Sequence, residues 1–278
     1  MNTLILSGFG TNCERETRYA CEQSGAPAGS VDVRHISEIY AGGLSLDAYR
    51  FVVLIGGFLD GDDLGGGRAC ANRFRYRSLP GGGTFLDDLR AFVQGGGLML
   101  GICNGFQLLV QLGLLPGQTD GAAPQAVTLT TNARGRFEDR WVRLHVDPQS
   151  PCVFTRGLSH LELPVRHGEG RILGDGPDTI SRLLEGRLAP MQYSSADGQP
   201  TEQYPDNPNG SPMGIAALCN PAGTVMGLMP HPEGYNHPTN HPRWTRQAVG
   251  GQPAAGEGLV LFRNAYAYLA EKSHQAVS

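Results

Sequence analysis

Two short runs constrain this chain more than anything else in it: Phe51-Val52-Val53-Leu54-Ile55 and Leu98-Met99-Leu100-Gly101-Ile102. Neither alternates apolar with polar residues, and each gives way to a glycine-containing turn. A strand without alternation is covered on both faces, the condition of a strand inside a parallel sheet flanked by helices. The neighbouring segments carry the helical period instead. Thr84 to Gln94 is apolar at 85, 86, 89, 92 and 93 and is stopped by Gly95-Gly96-Gly97, and Asn104 to Leu112 forms a second helix with Gly113 just past its end. Upstream, Leu4-Ile5-Leu6 reads as a strand, Thr11 to Glu14 as a capping box with Thr11 at the cap, and Val31-Asp32-Val33 as another strand. The helix after the capping box ends near Ser24-Gly25. Strand and helix in alternation make the fold α/β: an open, mostly parallel sheet flanked by helices.

The second half has a different texture. Trp141 to Val146 alternates, which suits a half-exposed antiparallel strand, and Ala126–Thr131, Leu163–His167, Met213–Leu218 and Thr224–Met229 are further strand candidates. Leu259 to Leu269 reads as a closing helix, and the polar, Pro- and Gly-rich stretch 236–256 as a long surface loop. With no repeat and no linker, residues 1–278 are expected to form one domain with an antiparallel extension at the sheet edge. A net charge of −4 gives no basic footprint for nucleic acid. No apolar run approaches the roughly 18 residues of a membrane span, and the first residues lack the basic start and apolar core of a secretion signal. Six cysteines stand singly, without a CxxC pair, which points to a reducing, cytoplasmic setting rather than a disulfide framework.

One of those cysteines is exceptional in its surroundings. Gly101-Ile102-Cys103-Asn104-Gly105 joins a buried strand directly to an apolar helix, the thiol counterpart of a nucleophile elbow. Such a turn places the sulfur at the carboxyl end of a strand, where open α/β sheets bind ligands, and at the positive end of a helix. Met229-Pro230-His231-Pro232-Glu233 closes another strand candidate, and positions i and i+2 of an extended segment point the same way. Glu233 is thereby placed to orient His231, and His231 to serve Cys103 as base: a nucleophile, base and orienter suited to acyl transfer. Such a site needs donors for an oxyanion. The Asn104 N–H is the first, and the turn Gly56-Gly57-Phe58 is the candidate for the second.

These motifs resemble those of the class I (triad) glutamine amidotransferases, and more narrowly the glutaminase component of phosphoribosylformylglycinamidine synthase. The resemblance rests on Gly8 to Glu16, Gly56-Gly57-Phe58 with Gly61-Asp62 and Leu64 to Gly67, Gly101 to Gln107, His167 to Arg171, Tyr204 to Ser211 and Gly227 to Glu233, in that order along nearly the whole chain. It implies the flavodoxin-like amidotransferase fold. It also implies that Cys103 attacks the side-chain amide of L-glutamine to give a γ-glutamyl thioester and ammonia, with Gly57, Phe58, Asn104, Gln107 and His167 around the substrate. Ammonia would then reach a separate synthetase subunit that uses ATP and magnesium to amidate formylglycinamide ribonucleotide in purine biosynthesis. A third, small subunit is a further implied partner. No G-x-x-x-x-G-K-[ST] loop is present, so no ATP chemistry and no cofactor is expected in this chain. Gly234 follows Glu233 where the family usually carries Arg.

Other readings compete at single positions. Cys13 lies within the capping box without flanking glycines and reads as structural. His231, His237 and His241 are each followed by proline, which prevents a helix from presenting them together, so no metal is expected. Arg68, Arg73, Arg75 and Arg77 read as a solvated basic face. The alternative functions are a hydrolase or deglycase with an elbow cysteine, an amidotransferase for another acceptor, and a non-catalytic binding subunit. The last would have lost a triad member, and this chain has lost none.

Overall fold

The computed structural model describes residues 2–117, 125–247 and 255–275. Five strands form a parallel half-sheet: β1 (Thr3–Ser7), β2 (Val31–His35), β3 (Phe51–Leu54), β4 (Leu98–Ile102) and, from far downstream, β11 (Val225–Leu228). Between β4 and β11 in the chain lie β5 (Val127–Thr131), β6 (Glu138–Val146), β7 (His160–His167), β8 (Glu169–Gly174), β9 (Met191–Ser194) and β10 (Ile215–Cys219). The main sheet runs β2-β1-β3-β4-β11-β10-β9-β6-β7, and β5 pairs with β8 in a separate two-stranded ribbon.

The pairings from β2 to β11 are parallel and those from β11 to β7 antiparallel. Five parallel strands are thus extended at one edge by four antiparallel ones, as expected. Val52, Val53, Leu100 and Leu228 are fully buried, as the unbroken apolar runs require. One apolar cluster extends from Leu4 to Leu269 and so joins both halves of the chain.

The helices are α1 (Glu14–Glu22), α2 (Ser37–Tyr40), α3 (Arg68–Tyr76), α4 (Phe85–Gln94), α5 (Asn104–Gln111), α6 (Thr179–Glu185), α7 (Trp244–Gln247) and α8 (Leu259–Gln275). α4 starts with a full capping box between Thr84 and Asp87. The box anticipated at Thr11 takes another form. Thr11 Oγ1 donates to Glu14 Oε1 at 2.9 Å, but it accepts the Gly8 N–H and so braces the loop, while Cys13 is the N-cap and caps with no side-chain bond.

The arginines expected on a solvated face lie on or beside α3, and three of them have partners. Arg73 pairs with Asp60, Arg75 donates to the Gln111 carbonyl, and Arg77 stacks 4.0 Å over the Tyr40 ring. The stretch 236–256 is not simply a surface loop. His241 within it is fully buried, its ring packed against Trp141 and Tyr235; residues 248–254 lie outside the described part.

Candidate active site

The carboxyl ends of β1, β3, β4 and β11 converge on one point. Cys103 follows β4 at φ 52° and ψ −107°, a strained conformation for a residue with a side chain and the geometry of a nucleophile elbow. The flanking glycines are required by packing: a Cβ on Gly101 would lie 2.6 Å from Leu109 Cδ1, and one on Gly105 would overlap the Leu54 carbonyl. Helix α5 therefore sits directly on the sheet. Its first amide, that of Asn104, belongs to the end of a helix where N–H groups lack helical partners.

Beside it, β11 leads into Met229 to Glu233. Glu233 Oε1 stands 2.6 Å from His231 Nδ1, with both side chains almost completely buried. A methyl group on Gly56 would meet His231 Cε1 at 3.0 Å and Cys103 Cβ at 3.4 Å, so ring and thiol line the same small space. Burial alone would disfavour a charged imidazole. The Glu233 carboxylate and the Cys103 sulfur outweigh it and hold the His231 pKa well above the ordinary range. His231 Nε2 has no hydrogen-bond partner among the described residues.

The third wall comes from β7. The Pro164 carbonyl accepts the His231 N–H at 2.8 Å, Val165 bridges to Pro230, and the Arg166 carbonyl lies 3.6 Å from Cys103 Sγ. Arg166 Nη2 also lies 3.8 Å from the place a Gly234 Cβ would occupy, so a guanidinium stands beside that glycine.

The expected pocket residues divide into two kinds. The Phe58 amide is already bonded to the Gly10 carbonyl at 2.8 Å, and its ring is half exposed against Phe137. The Gly57 amide has no such bond among the described residues, and neither has the Asn104 N–H that follows the thiol. Gln107 is tied at both ends, accepting from Asn104 Nδ2 at 2.7 Å and donating to the Glu169 carbonyl at 2.6 Å. It is a strut of the pocket wall, and a Cβ on Gly66 would overlap it.

His167 is fixed in one tautomer. The Asn132 amide donates to the Arg136 and His167 carbonyls, and its oxygen accepts the Gly170 N–H, so that oxygen faces His167 Nδ1 as an acceptor at 3.1 Å. Nδ1 must carry the proton, and Nε2 is left as a buried acceptor without a partner among the described residues. Burial first, and the charge of His231 second, push the His167 pKa down to about 3. The segment Asn207 to Ser211 locks onto the same region, with Asn209 donating to the Gly170 carbonyl and to Tyr193 Oη.

Over residues 1–269 the chain matches the family of CobB/CobQ-like glutamine amidotransferase domains. A phosphoribosylformylglycinamidine synthase subunit PurQ of Dehalococcoides mccartyi is 43% identical over 95% of this chain and 96% of its own length. The chain belongs to the PurQ family of glutamine amidotransferases. A PurQ subunit of Methanococcus maripaludis is 38% identical over 83% of this chain and 80% of its own. The human phosphoribosylformylglycinamidine synthase is 34% identical over 82% of this chain, which spans only 17% of that much longer protein. Among solved structures, a chain of the PurLQS complex of Thermotoga maritima matches with a TM-score of 0.66 at 26% identity, covering 96% of this chain and 98% of that one.

Cys13, read from the sequence as structural, lies beside the His231–Glu233 pair. Its Sγ, a ring nitrogen of His231 and a carboxylate oxygen of Glu233 lie within 4.8 Å of one another, the one potential ion-holding group of its kind among the described residues. Cys13 belongs to the segment Gly8 to Glu16 that carries part of the family resemblance. The bond pattern Asn12 N–H to Gly56 carbonyl and Phe58 N–H to Gly10 carbonyl stitches that segment to the turn beside Cys103.

Proposed function

We propose that this chain is the glutaminase subunit of phosphoribosylformylglycinamidine synthase, with Cys103 as nucleophile, His231 as base and acid, and Glu233 as the carboxylate that orients it. The observation that carries the reading is the buried His231–Glu233 pair at 2.6 Å set against the elbow thiol. His231, charged in the resting site, holds the proton while the Cys103 sulfur bonds to the side-chain carbonyl carbon of glutamine. The carbonyl electrons move onto oxygen, where the Gly57 and Asn104 amides receive the charge. His231 gives its proton to the leaving nitrogen, the C–N bond breaks, and ammonia and a γ-glutamyl thioester result. Water then attacks, giving its proton to His231; the C–S bond breaks, and the sulfur anion is restored beside the charged imidazole as glutamate leaves. His167 Nε2, held neutral, receives an N–H of the substrate or of ammonia. The ammonia passes to a synthetase subunit, which brings ATP and magnesium and amidates formylglycinamide ribonucleotide; a third, small subunit completes the assembly. The relatives' names and the PurLQS likeness support that assembly.

An electrophilic glutamine analogue tests the reading. It is expected to label Cys103 in the full chain and to abolish glutamine-dependent amidation while free ammonia still supports the complex. Labelling at Cys13 instead, or equal loss with ammonia, would overturn the assignment.

A further inference from the structure

Cys13 has no part in the acyl-transfer scheme, yet it stands inside it. It is held at φ 71° and ψ 17°, a left-handed conformation that a residue with a side chain adopts only under constraint. That constraint keeps its sulfur within 4.8 Å of a His231 ring nitrogen and a Glu233 oxygen. A second fact points to a ligand. His231 is only 3% exposed, and its Nε2 has no hydrogen-bond partner among the described residues, an arrangement that costs free energy unless something occupies the lone pair or proton. The Cys13 and Cys103 sulfurs both act on this imidazole. Thiolate and imidazole are the donors that zinc-class cations select, whereas magnesium and calcium select oxygen. Glu233 Oε2 is likewise buried without a hydrogen-bond partner among the described residues.

We propose that Cys13 Sγ, a His231 ring nitrogen and a Glu233 carboxylate oxygen, with water as fourth donor, form an inhibitory site for a zinc-class divalent cation. On binding, the Cys13 thiol and the charged His231 imidazole each release a proton to solvent, and the sulfur and nitrogen lone pairs go to the metal. The base and the carboxylate that orients it are then both occupied, and glutamine hydrolysis stops. Metal–sulfur and metal–nitrogen bonds of about 2.3 and 2.1 Å require the donors to close in by roughly 1 Å, within the reach of side-chain rotation. Cys13, only partly buried, gives the cation its way in. The site shares His231 with the glutaminase reading but does not depend on it.

The test uses the full chain with zinc ion as the probe. Zinc is titrated in competition with a chromogenic chelator, and Cys13 alkylation by a haloacetamide is followed by peptide mass. One zinc per chain is expected, with zinc but not magnesium protecting Cys13. Cys13→Ser and Cys13→Gly are expected to weaken zinc binding, and zinc inhibition of glutamine hydrolysis, by about tenfold or more. The glycine variant suits the left-handed backbone, so its folding is not in question. Equal zinc affinity in wild type and both variants, or alkylation of Cys13 unchanged by zinc, would overturn the proposal. A chain that binds zinc as described but never hydrolyses glutamine would refute the glutaminase reading and leave this site standing.

Discussion

Gly56→Ala is a perturbation whose size can be worked out from the structure. Gly56 lies outside the left-handed region, so its backbone accepts alanine without strain. The added methyl would sit 3.0 Å from His231 Cε1 and 3.4 Å from Cys103 Cβ, so the imidazole must give way by a few tenths of an ångström. It cannot do so freely: Nδ1 is held by Glu233 at 2.6 Å and the His231 amide by the Pro164 carbonyl at 2.8 Å. Misplacing a reacting group by about 1 Å can cost 10²-fold, so this smaller shift should lower kcat for glutamine hydrolysis by about tenfold to thirtyfold, or about 1.4 to 2 kcal/mol. KM should hardly change, because the wall built by Gln107 and His167 is untouched. The assay measures glutamate release and, in the complex, ammonia-dependent amidation, with the melting temperature as a folding control. Unchanged kcat in a folded variant would refute the idea that ring and thiol share one tightly filled space.

Glu233→Gln should lower kcat by about 10³ to 10⁴, because the amide cannot hold a charged imidazole as the carboxylate does. The His231 pKa, raised in the native protein, should fall with it, so the alkaline limb of the kcat/KM profile should move to lower pH. His167 predicts an acid-sensitive fold. Its pKa is about 3 in the native state against an ordinary 6.5, so the unfolded chain takes the proton first and stability is lost as pH falls from 6.5 toward 3. The loss should reach about 3 kcal/mol by pH 4, and melting curves of His167→Gln should show a flatter decline between pH 7 and 4. Gly57→Ala, unlike its neighbour, should damage the fold itself. At φ 131° its Cβ would lie 2.5 Å from the Gly10 carbonyl oxygen and 2.6 Å from Thr11 Cα, and a destabilisation of about 2 to 4 kcal/mol in denaturant titrations is expected.

The parallel half-sheet and the elbow were legible because their cause is local. Phe51 to Leu54 and Leu98 to Ile102 are apolar throughout since both faces are covered, and Gly101 and Gly105 flank the thiol since α5 presses on the sheet. Helix α3 escaped notice because four arginines at or near it mask a buried stripe of Cys70, Ala71 and Phe74. Strands β8 and β9 escaped notice because each sets few apolar residues among glycine and polar ones, Ile172 and Leu173 in the first and Met191 and Tyr193 in the second. The approach of Cys13 to His231 follows only from the strand order, which sets the ends of β1, β3, β4 and β11 side by side. The bonds that consume the Phe58 amide and both ends of Gln107 are likewise tertiary, and no local pattern announces them.

β7 ends the sheet, and an unpaired margin of this kind ordinarily invites a stranger to add a strand. Here its outward carbonyls at Pro164 and Arg166 are spent on the loop bearing His231 and on Cys103. The segment proposed for catalysis thus doubles as a guard against self-association. Lesions that loosen the 229–233 segment should cost solubility as well as turnover, so inactive variants here need checking for oligomers before their chemistry is interpreted.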